Sequence, residues 1–190
     1  GQVPIGDLLS IYEVNRPRPL EALYGVLAGS TARSLSPLLH NALFRARDLP
    51  YLYLPFQVSD FRRERPHEIA FDPPARGFAV TKPWKLEAAR VGAPSEDVRR
   101  IGASNTLVRE RTGWRAENTD VDGVFDPLAD HGTGEGRSAV VLGAGGAARA
   151  VHRLSESSGV HRWFLSCRRT ALPRVPNHLL RRRGRVLPDA

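Results

Sequence analysis

Ser138-Ala139-Val140-Val141-Leu142-Gly143-Ala144-Gly145-Gly146-Ala147-Ala148 is the stretch whose reading decides the fold. A short apolar run that reads as a buried strand leads directly into a glycine cluster, and a helix pattern follows to about Ser158. Glycines at a strand's carboxyl end let the backbone approach a pyrophosphate, whose charge the next helix N-terminus favours. The spacing is G-x-G-x-x-A, with Gly143, Gly145 and Ala148 at the small positions; Ala at the last still permits close helix–strand packing. A tight strand–helix turn needs glycine without any ligand, so the motif alone is weak. Its context strengthens it: a strand before, a helix after, and a second strand at Arg162-Trp163-Phe164-Leu165-Ser166. An NAD site usually offers Asp or Glu at the end of that second strand, whereas this chain offers Arg168-Arg169-Thr170. Arginines suit a 2′-phosphate, so NADP is the expected cofactor. The competing reading is that they begin a basic tail.

Upstream, the Gly-rich linker His131-Gly132-Thr133-Gly134-Glu135-Gly136 separates this unit from a longer alternation of strands and helices. Leu23–Ala28, Tyr51–Phe56 and Gly77–Thr81 read as strands. Ser36 is expected to cap a helix with Pro37 at its first position, Pro83 to start a helix through about Val91, and Glu96–Ile101 to be a short helix. Asn105–Arg109 and Trp114–Asn118 are two more strands around a turn at Thr112-Gly113. The alternation predicts an α/β domain with a mostly parallel sheet. At the start, an amphipathic stretch from Ile5 to Tyr12 precedes Arg16-Pro17-Arg18-Pro19, whose alternating prolines make a stiff extended connector.

Composition narrows the class. The chain has 190 residues, 41% apolar and 25% charged, ample for a core and ordinary for a globular protein. Cys167 is the single cysteine, which excludes an internal disulfide and a multi-cysteine metal site and fits a reducing compartment. The six histidines show no ligand spacing, so no metal is expected. No apolar run approaches the roughly 20 residues of a membrane span, and no signal peptide opens the chain, so a cytoplasmic protein is expected. The net charge of +8 raises nucleic acid as a partner, but residues 160–190 hold eight arginines against Asp189 while the body is nearly neutral. Without aromatic interleaving, a nucleic-acid binder is disfavoured. There is no methionine, which suggests a piece of something longer. Lys82 and Lys85 are the only lysines among 28 basic residues. Arg cannot lose its proton in a protein, whereas Lys can, so a lysine here suggests chemistry.

Three further groups sit at strand ends, where α/β sheets hold ligands. Thr81-Lys82-Pro83-Trp84-Lys85 places Lys85 one turn into a helix; a solvated surface lysine is its bland reading. Glu117-Asn118-Thr119-Asp120 offers a carboxylate that is equally readable as a helix cap. Ser34-Leu35-Ser36-Pro37 could hold a carboxylate through its hydroxyls and helix N-terminus, or simply cap. Asn105-Thr106 is uninformative alone.

In order, however, these groups resemble the shikimate dehydrogenase family over roughly 20–170. Ser34 and Ser36 with Pro37, His40 and Asn41 look like S-x-S-P-x-x-H-N, and Gly77 through Lys85 looks like G-x-N-V-T-x-P-x-K. Ile101–Thr106 looks like I-G-A-x-N-T, Asn118-Thr119-Asp120 with Gly123 like N-T-D-x-x-G, Gly143–Ala147 like G-A-G-G-A, and Arg168-Arg169-Thr170 like N-R-T. The resemblance implies reversible NADPH-linked reduction of 3-dehydroshikimate to shikimate in aromatic amino-acid biosynthesis. It implies that Lys85 and Asp120 are catalytic and that Ser34, Ser36, Thr81, Asn105 and Asp120 bind substrate. It also implies that Gly143, Ala144, Gly145, Gly146, Ala147, Arg168, Arg169 and Thr170 bind NADP. The implied organisation is a substrate domain at 20–130 and part of a Rossmann-like NADP domain at 137–190.

The opening segment, Gly1-Gln2-Val3-Pro4 through Tyr12, resembles the C-terminal end of a type I dehydroquinate dehydratase, so residues 1–19 are expected to be a linker or the end of such a fused domain. Two departures from the family pattern stand out. Ala79 replaces the motif's Asn, and Arg168 replaces the Asn of N-R-T. A doubly wound nucleotide domain needs roughly five or six strands, more than fit after Thr170, so the expectation is a truncated dehydrogenase that is inactive alone. A non-catalytic shikimate or quinate sensor and a quinate dehydrogenase are the alternatives.

Overall fold

The computed structural model describes residues 3–123, 138–142, 145–154 and 162–166. A six-stranded sheet in the order β2-β1-β3-β5-β6-β4 forms its centre. Strand β1 (Ala22–Ala28) is apolar and buried on both faces, as a central strand must be, and it pairs in parallel with β2 (Tyr51–Gln57) and β3 (Ala75–Val80). Those three strands are joined through helices, α2 (Ser36–Ala46) between β1 and β2 and α3 (Phe61–Glu64) between β2 and β3. The other half of the sheet departs from the expected parallel pattern. Strands β5 (Thr106–Glu110) and β6 (Gly113–Glu117) are joined by only Arg111-Thr112, and a link that short can only reverse the chain. They pair antiparallel, β5 runs antiparallel to β3, and β4 (Ala93–Pro94) pairs in parallel with β6.

Two helix expectations are corrected. Helix α2 begins at Ser36 itself, with Leu35 as its N-cap and Pro37 one position further in than expected. Leu35 already has helical backbone angles, and the serine that accepts a backbone N–H here is Ser34, from Ser36 at 3.4 Å. Helix α4 is only Lys85–Ala88, not a helix from Pro83 to Val91. Gly92 lies at φ +62, where a Cβ would stand 1.8 Å from the Trp114 carbonyl oxygen, so the chain must turn there to deliver β4 to β6. Helix α5 (Glu96–Ile101) lies where expected, with the Ser95 side chain accepting from Val98 N–H and Gly102 closing it in the left-handed region.

The core gathers Leu27, Val58, Phe61, Phe78, Val80, Val98, Leu107 and Trp114. Phe78 is at its middle, 5.6 Å from Phe56 edge-on and 5.4 Å from Trp114 in a stack. The N-terminal helix α1 (Ile5–Ser10) is tied to the body by Arg45, which donates to the Ile11 carbonyl at 2.9 Å and pairs with Glu13. Further along, β7 (Ser138–Leu142) and β8 (Arg162–Ser166) form a separate parallel pair with α6 (Gly146–Leu154) between them in sequence. Both strands and the helix start agree with the sequence reading. Ser158 lies outside the described residues.

His67 gives this body a pH dependence. Its ring stacks on Phe61 with centroids 5.7 Å apart, and its buried Nδ1 has no hydrogen-bond partner among the described residues. Burial holds the imidazole below its ordinary 6.5; the Glu68 carboxylate opposes this and the Arg65 guanidinium adds to it. As pH falls through 6.5 the unfolded chain therefore takes up its proton first. The stability due to neutral His67 is full above that pH and declines below it until the native imidazole also titrates. Denaturant unfolding at pH 7.5 and 5.5 should show a larger loss for the unmodified chain than for His67→Gln. Equal losses would remove His67 from the account.

Candidate active site

The site forms where strand ends meet. Strand β3 ends at Val80, whose N–H donates to the Asn105 carbonyl at 2.7 Å, and Thr81 N–H donates to Leu27 at the end of β1. A turn closed by Trp84 N–H onto the Thr81 carbonyl then starts α4, so Lys85 stands one turn beyond the sheet. Because β5 runs antiparallel to β3, its first residues and the last of β6 arrive at the same edge. Ser104 N–H donates to the Lys85 carbonyl at 2.8 Å, and Asn105 N–H to the Glu117 carbonyl at 3.1 Å. The loop after β1 joins from the other side, Gly29 N–H donating to the Lys82 carbonyl at 3.3 Å.

Lys85 Nζ and Asp120 Oδ2 are 2.7 Å apart, and both side chains are mostly shielded, 17% and 24% exposed. Asn105 Nδ2 donates to the other carboxylate oxygen at 2.8 Å and to Thr119 Oγ1 at 3.0 Å. The Asn105 side-chain oxygen accepts from Thr119 N–H and from Thr106 Oγ1, so this amide is held on both ends. Asn118, buried, accepts from Asp120 N–H at 3.0 Å and donates to the Ala103 carbonyl at 2.9 Å. Asn118 therefore fixes the turn, and the Asp120 carboxylate faces Lys85; the reading of Asp120 as a helix cap is set aside. Among the described residues Lys85 spends one donor on Asp120, which leaves two for a ligand.

The structure brings Thr81, Lys85, Asn105 and Asp120, all named from the sequence, to one edge of the sheet; what the sequence reading missed is the residues that orient them. Asn118 and Ser104 are the omissions. Ser104 is fully buried and its hydroxyl lies within bonding distance of the Thr106 and Glu117 carbonyls, which ties the start of β5 to the end of β6. The signal for Asn118 was its place in Asn118-Thr119-Asp120; nothing in the sequence marked Ser104 as buried. Ser34 and Ser36 stand half-buried at the start of α2. Beside them the Tyr53 ring stacks on His40 at 4.3 Å. Burial pushes the Tyr53 hydroxyl up to about 12, with the Ser36 side chain pulling the other way. Ala79 is paired with Thr106 across β3 and β5. Of the expected cofactor residues, Gly145, Gly146 and Ala147 lie at the start of α6. Gly143, Ala144, Arg168, Arg169 and Thr170 lie outside the described residues. Among the described residues no His, Cys, Asp and Glu cluster could hold a metal, and no helix is long and apolar enough to cross a membrane.

The fold and site define a class: an α/β layer with an ion-paired lysine at its strand ends, followed by a parallel β–α–β unit of the dinucleotide-binding kind. Residues 26–107 match the model of the shikimate dehydrogenase substrate binding domain. The chain resembles shikimate dehydrogenases beyond that stretch too. It is 42% identical over 130 residues to the shikimate dehydrogenase (NADP(+)) of Syntrophobacter fumaroxidans, covering 68% of this chain and 45% of that protein. It is 39% identical over 131 residues to that of Microcystis aeruginosa, covering 68% and 46%. A shikimate dehydrogenase solved in complex with NADP+ superposes with a TM-score of 0.68 at 30% identity, over 77% of this chain and 51% of that one. The enzyme from Thermotoga maritima gives 0.65 at 31%, over 77% and 55%. A chorismate mutase/shikimate 5-dehydrogenase fusion from Clostridium acetobutylicum gives 0.67 at 29%, over 76% and 54%. The chain spans about half the length of the curated relatives it matches.

Proposed function

We propose that the protein interconverts 3-dehydroshikimate and shikimate with NADP(H) in a cytoplasmic setting. We further propose that residues 20–130 form the substrate domain and 137–190 part of the NADP domain. The observation that carries this reading is the 2.7 Å Lys85–Asp120 pair, with Asn105 holding the second carboxylate oxygen. In the reducing direction the Lys85 ammonium gives a proton to the carbonyl oxygen as its carbon becomes a secondary alcohol; in oxidation the amine takes that proton back. Asp120 holds the amine in place, and Asn105 keeps the carboxylate from rotating away. Thr81, Asn105 and Asp120 supply partners for ring hydroxyls, while Ser34 and Ser36 at the α2 N-terminus receive the substrate carboxylate.

The β7–α6–β8 unit fits a dinucleotide: its strands are parallel, and no atom of the described residues lies within 4 Å of where a Cβ on Gly145 would stand. Gly143, Ala144, Gly145, Gly146 and Ala147 would face its pyrophosphate, and Arg168, Arg169 and Thr170 its 2′-phosphate. When bound, the nicotinamide supplies or accepts the hydride. Residues 1–19 are read as the end of a preceding dehydroquinate dehydratase domain.

Shikimate oxidation by the intact protein with NADP+ and with NAD+ tests this reading. Turnover should be seen with NADP+, and replacing Arg168 and Arg169 by Ala should weaken NADP+ by roughly 10–100-fold, the worth of one or two charge-assisted hydrogen bonds, with NAD+ far less affected. Equal losses for both cofactors would remove the arginines from 2′-phosphate recognition. No turnover with either cofactor would sink the activity.

A further inference from the structure

Gly146 occupies a position that the G-x-G-x-x-A spacing does not reserve for a small residue. In G-x-G-x-x-A the small residues are Gly143, Gly145 and Ala148, so the spacing alone does not require a glycine at 146, whose backbone is what would face the pyrophosphate. It is also the first residue of α6, where alanine is the better helix former. The structure supplies another reason for a glycine. A Cβ at Gly146 would stand 3.0 Å from both Cβ and Cδ of Lys85 and 3.2 Å from Cβ of Ala103.

We propose that Gly146 is a positioning residue for Lys85: the bare start of α6 is the wall against which the lysine stem lies, so that its ammonium reaches Asp120. This rests on the proposed role of Lys85 and goes beyond it, because it joins the glycine turn to the proton-transfer group mechanically. Neither side can easily give way. Lys85 Cβ is close to a backbone whose carbonyl is held by Ser104 N–H. Ala103 is fully buried. The helix cannot withdraw, because Ala150, also fully buried, packs with Ile101, Ala103, Leu86 and Val121. Leu86 and Val121 adjoin Lys85 and Asp120 in the chain, so the apolar cluster that seats α6 also seats the two partners of the ion pair. The soft degree of freedom is the outer lysine stem. Moving Cδ aside shifts Nζ from the carboxylate, since interiors this tight transmit a methyl's worth of displacement.

Two lysines in the whole chain make the test simple. With lysine ε-carbons labelled, NMR of the 190-residue chain should show one averaged signal from exposed Lys82 and one from Lys85 whose two ε-protons are inequivalent; Lys85→Arg assigns it. Gly146→Ala should merge the Lys85 pair, leave Lys82 unchanged and weaken shikimate binding about tenfold, roughly one hydrogen bond. Gly145→Ala, which meets nothing within 4 Å among the described residues, should leave both lysine signals as they are. If Gly146→Ala does not fold, Ala150→Val lifts α6 one turn further along and should merge the pair likewise. An inequivalent pair that survives the substitution, a pair already averaged in the unmodified chain, or equal loss in Gly145→Ala would overturn the inference. If shikimate does not bind at all, the proposed substrate fails, while the lysine signals still decide the role of Gly146.

Discussion

Lys85→Ala in the intact protein lowers the turnover of shikimate oxidation by roughly 10²–10⁴-fold, the usual worth of a positioned acid–base group. Shikimate affinity falls far less, because the proposed substrate contacts at Ser34, Ser36, Asn105 and Asp120 are left in place. The substitution removes the amine that sits 2.7 Å from Asp120 and leaves that carboxylate bonded to Asn105, so the fold around it has no reason to rearrange. Turnover at saturating substrate and binding by calorimetry separate the two effects. A mutant with near-normal turnover would mean that another group moves the proton.

Phe78→Ala should cost about 3–5 kcal/mol of stability, the range for emptying a large aromatic from a packed core. Phe78, on β3, the strand that ends one residue before Thr81, is 2% exposed and touches Phe56 of β2 and Trp114 of β6. The loss reaches the site as well, since the Val80 N–H to Asn105 hydrogen bond holds β3 to the start of β5. A denaturant midpoint and the unfolding slope measure this; a loss under about 1 kcal/mol would show that the core had refilled the space. A Phe78→Leu variant should keep more than half of the stability, because it leaves a smaller void.

Much of the strand and helix order was legible because each element carries its signal locally. β1, β2 and β7 are short apolar runs, and α5 opens on Ser95 and closes on Gly102, a cap pair that needs no distant partner. Strand ends were legible too, and with them the candidates Thr81, Lys85, Asn105 and Asp120. Three of the sheet's five pairings are parallel, in line with the mostly parallel reading; the antiparallel ones are β3–β5 and β5–β6, the latter set by a two-residue link. The helix from Pro83 to Val91 failed because its end is dictated by the Trp114 carbonyl pressed against Gly92.

What the sequence alone determined is therefore the inventory: which segments are apolar with period two or three to four, where glycine and proline interrupt them, and which polar residues fall at their ends. Backbone propensity and side-chain chemistry act over a few residues, and these features are set at that range. What only the tertiary structure decided is who meets whom. Lys85 and Asp120 are 35 residues apart, and their contact exists because β3, β5 and β6 end at one edge of a sheet whose order no local signal specifies. Asn118 and Ser104 take their roles from carbonyls that the same edge brings within 3.0 Å. Gly146 looks like one more small residue in a glycine run until α6 lies against the Lys85 stem. A methyl group there would crowd that stem at 3.0 Å, and a one-dimensional pattern carries no record of that crowding.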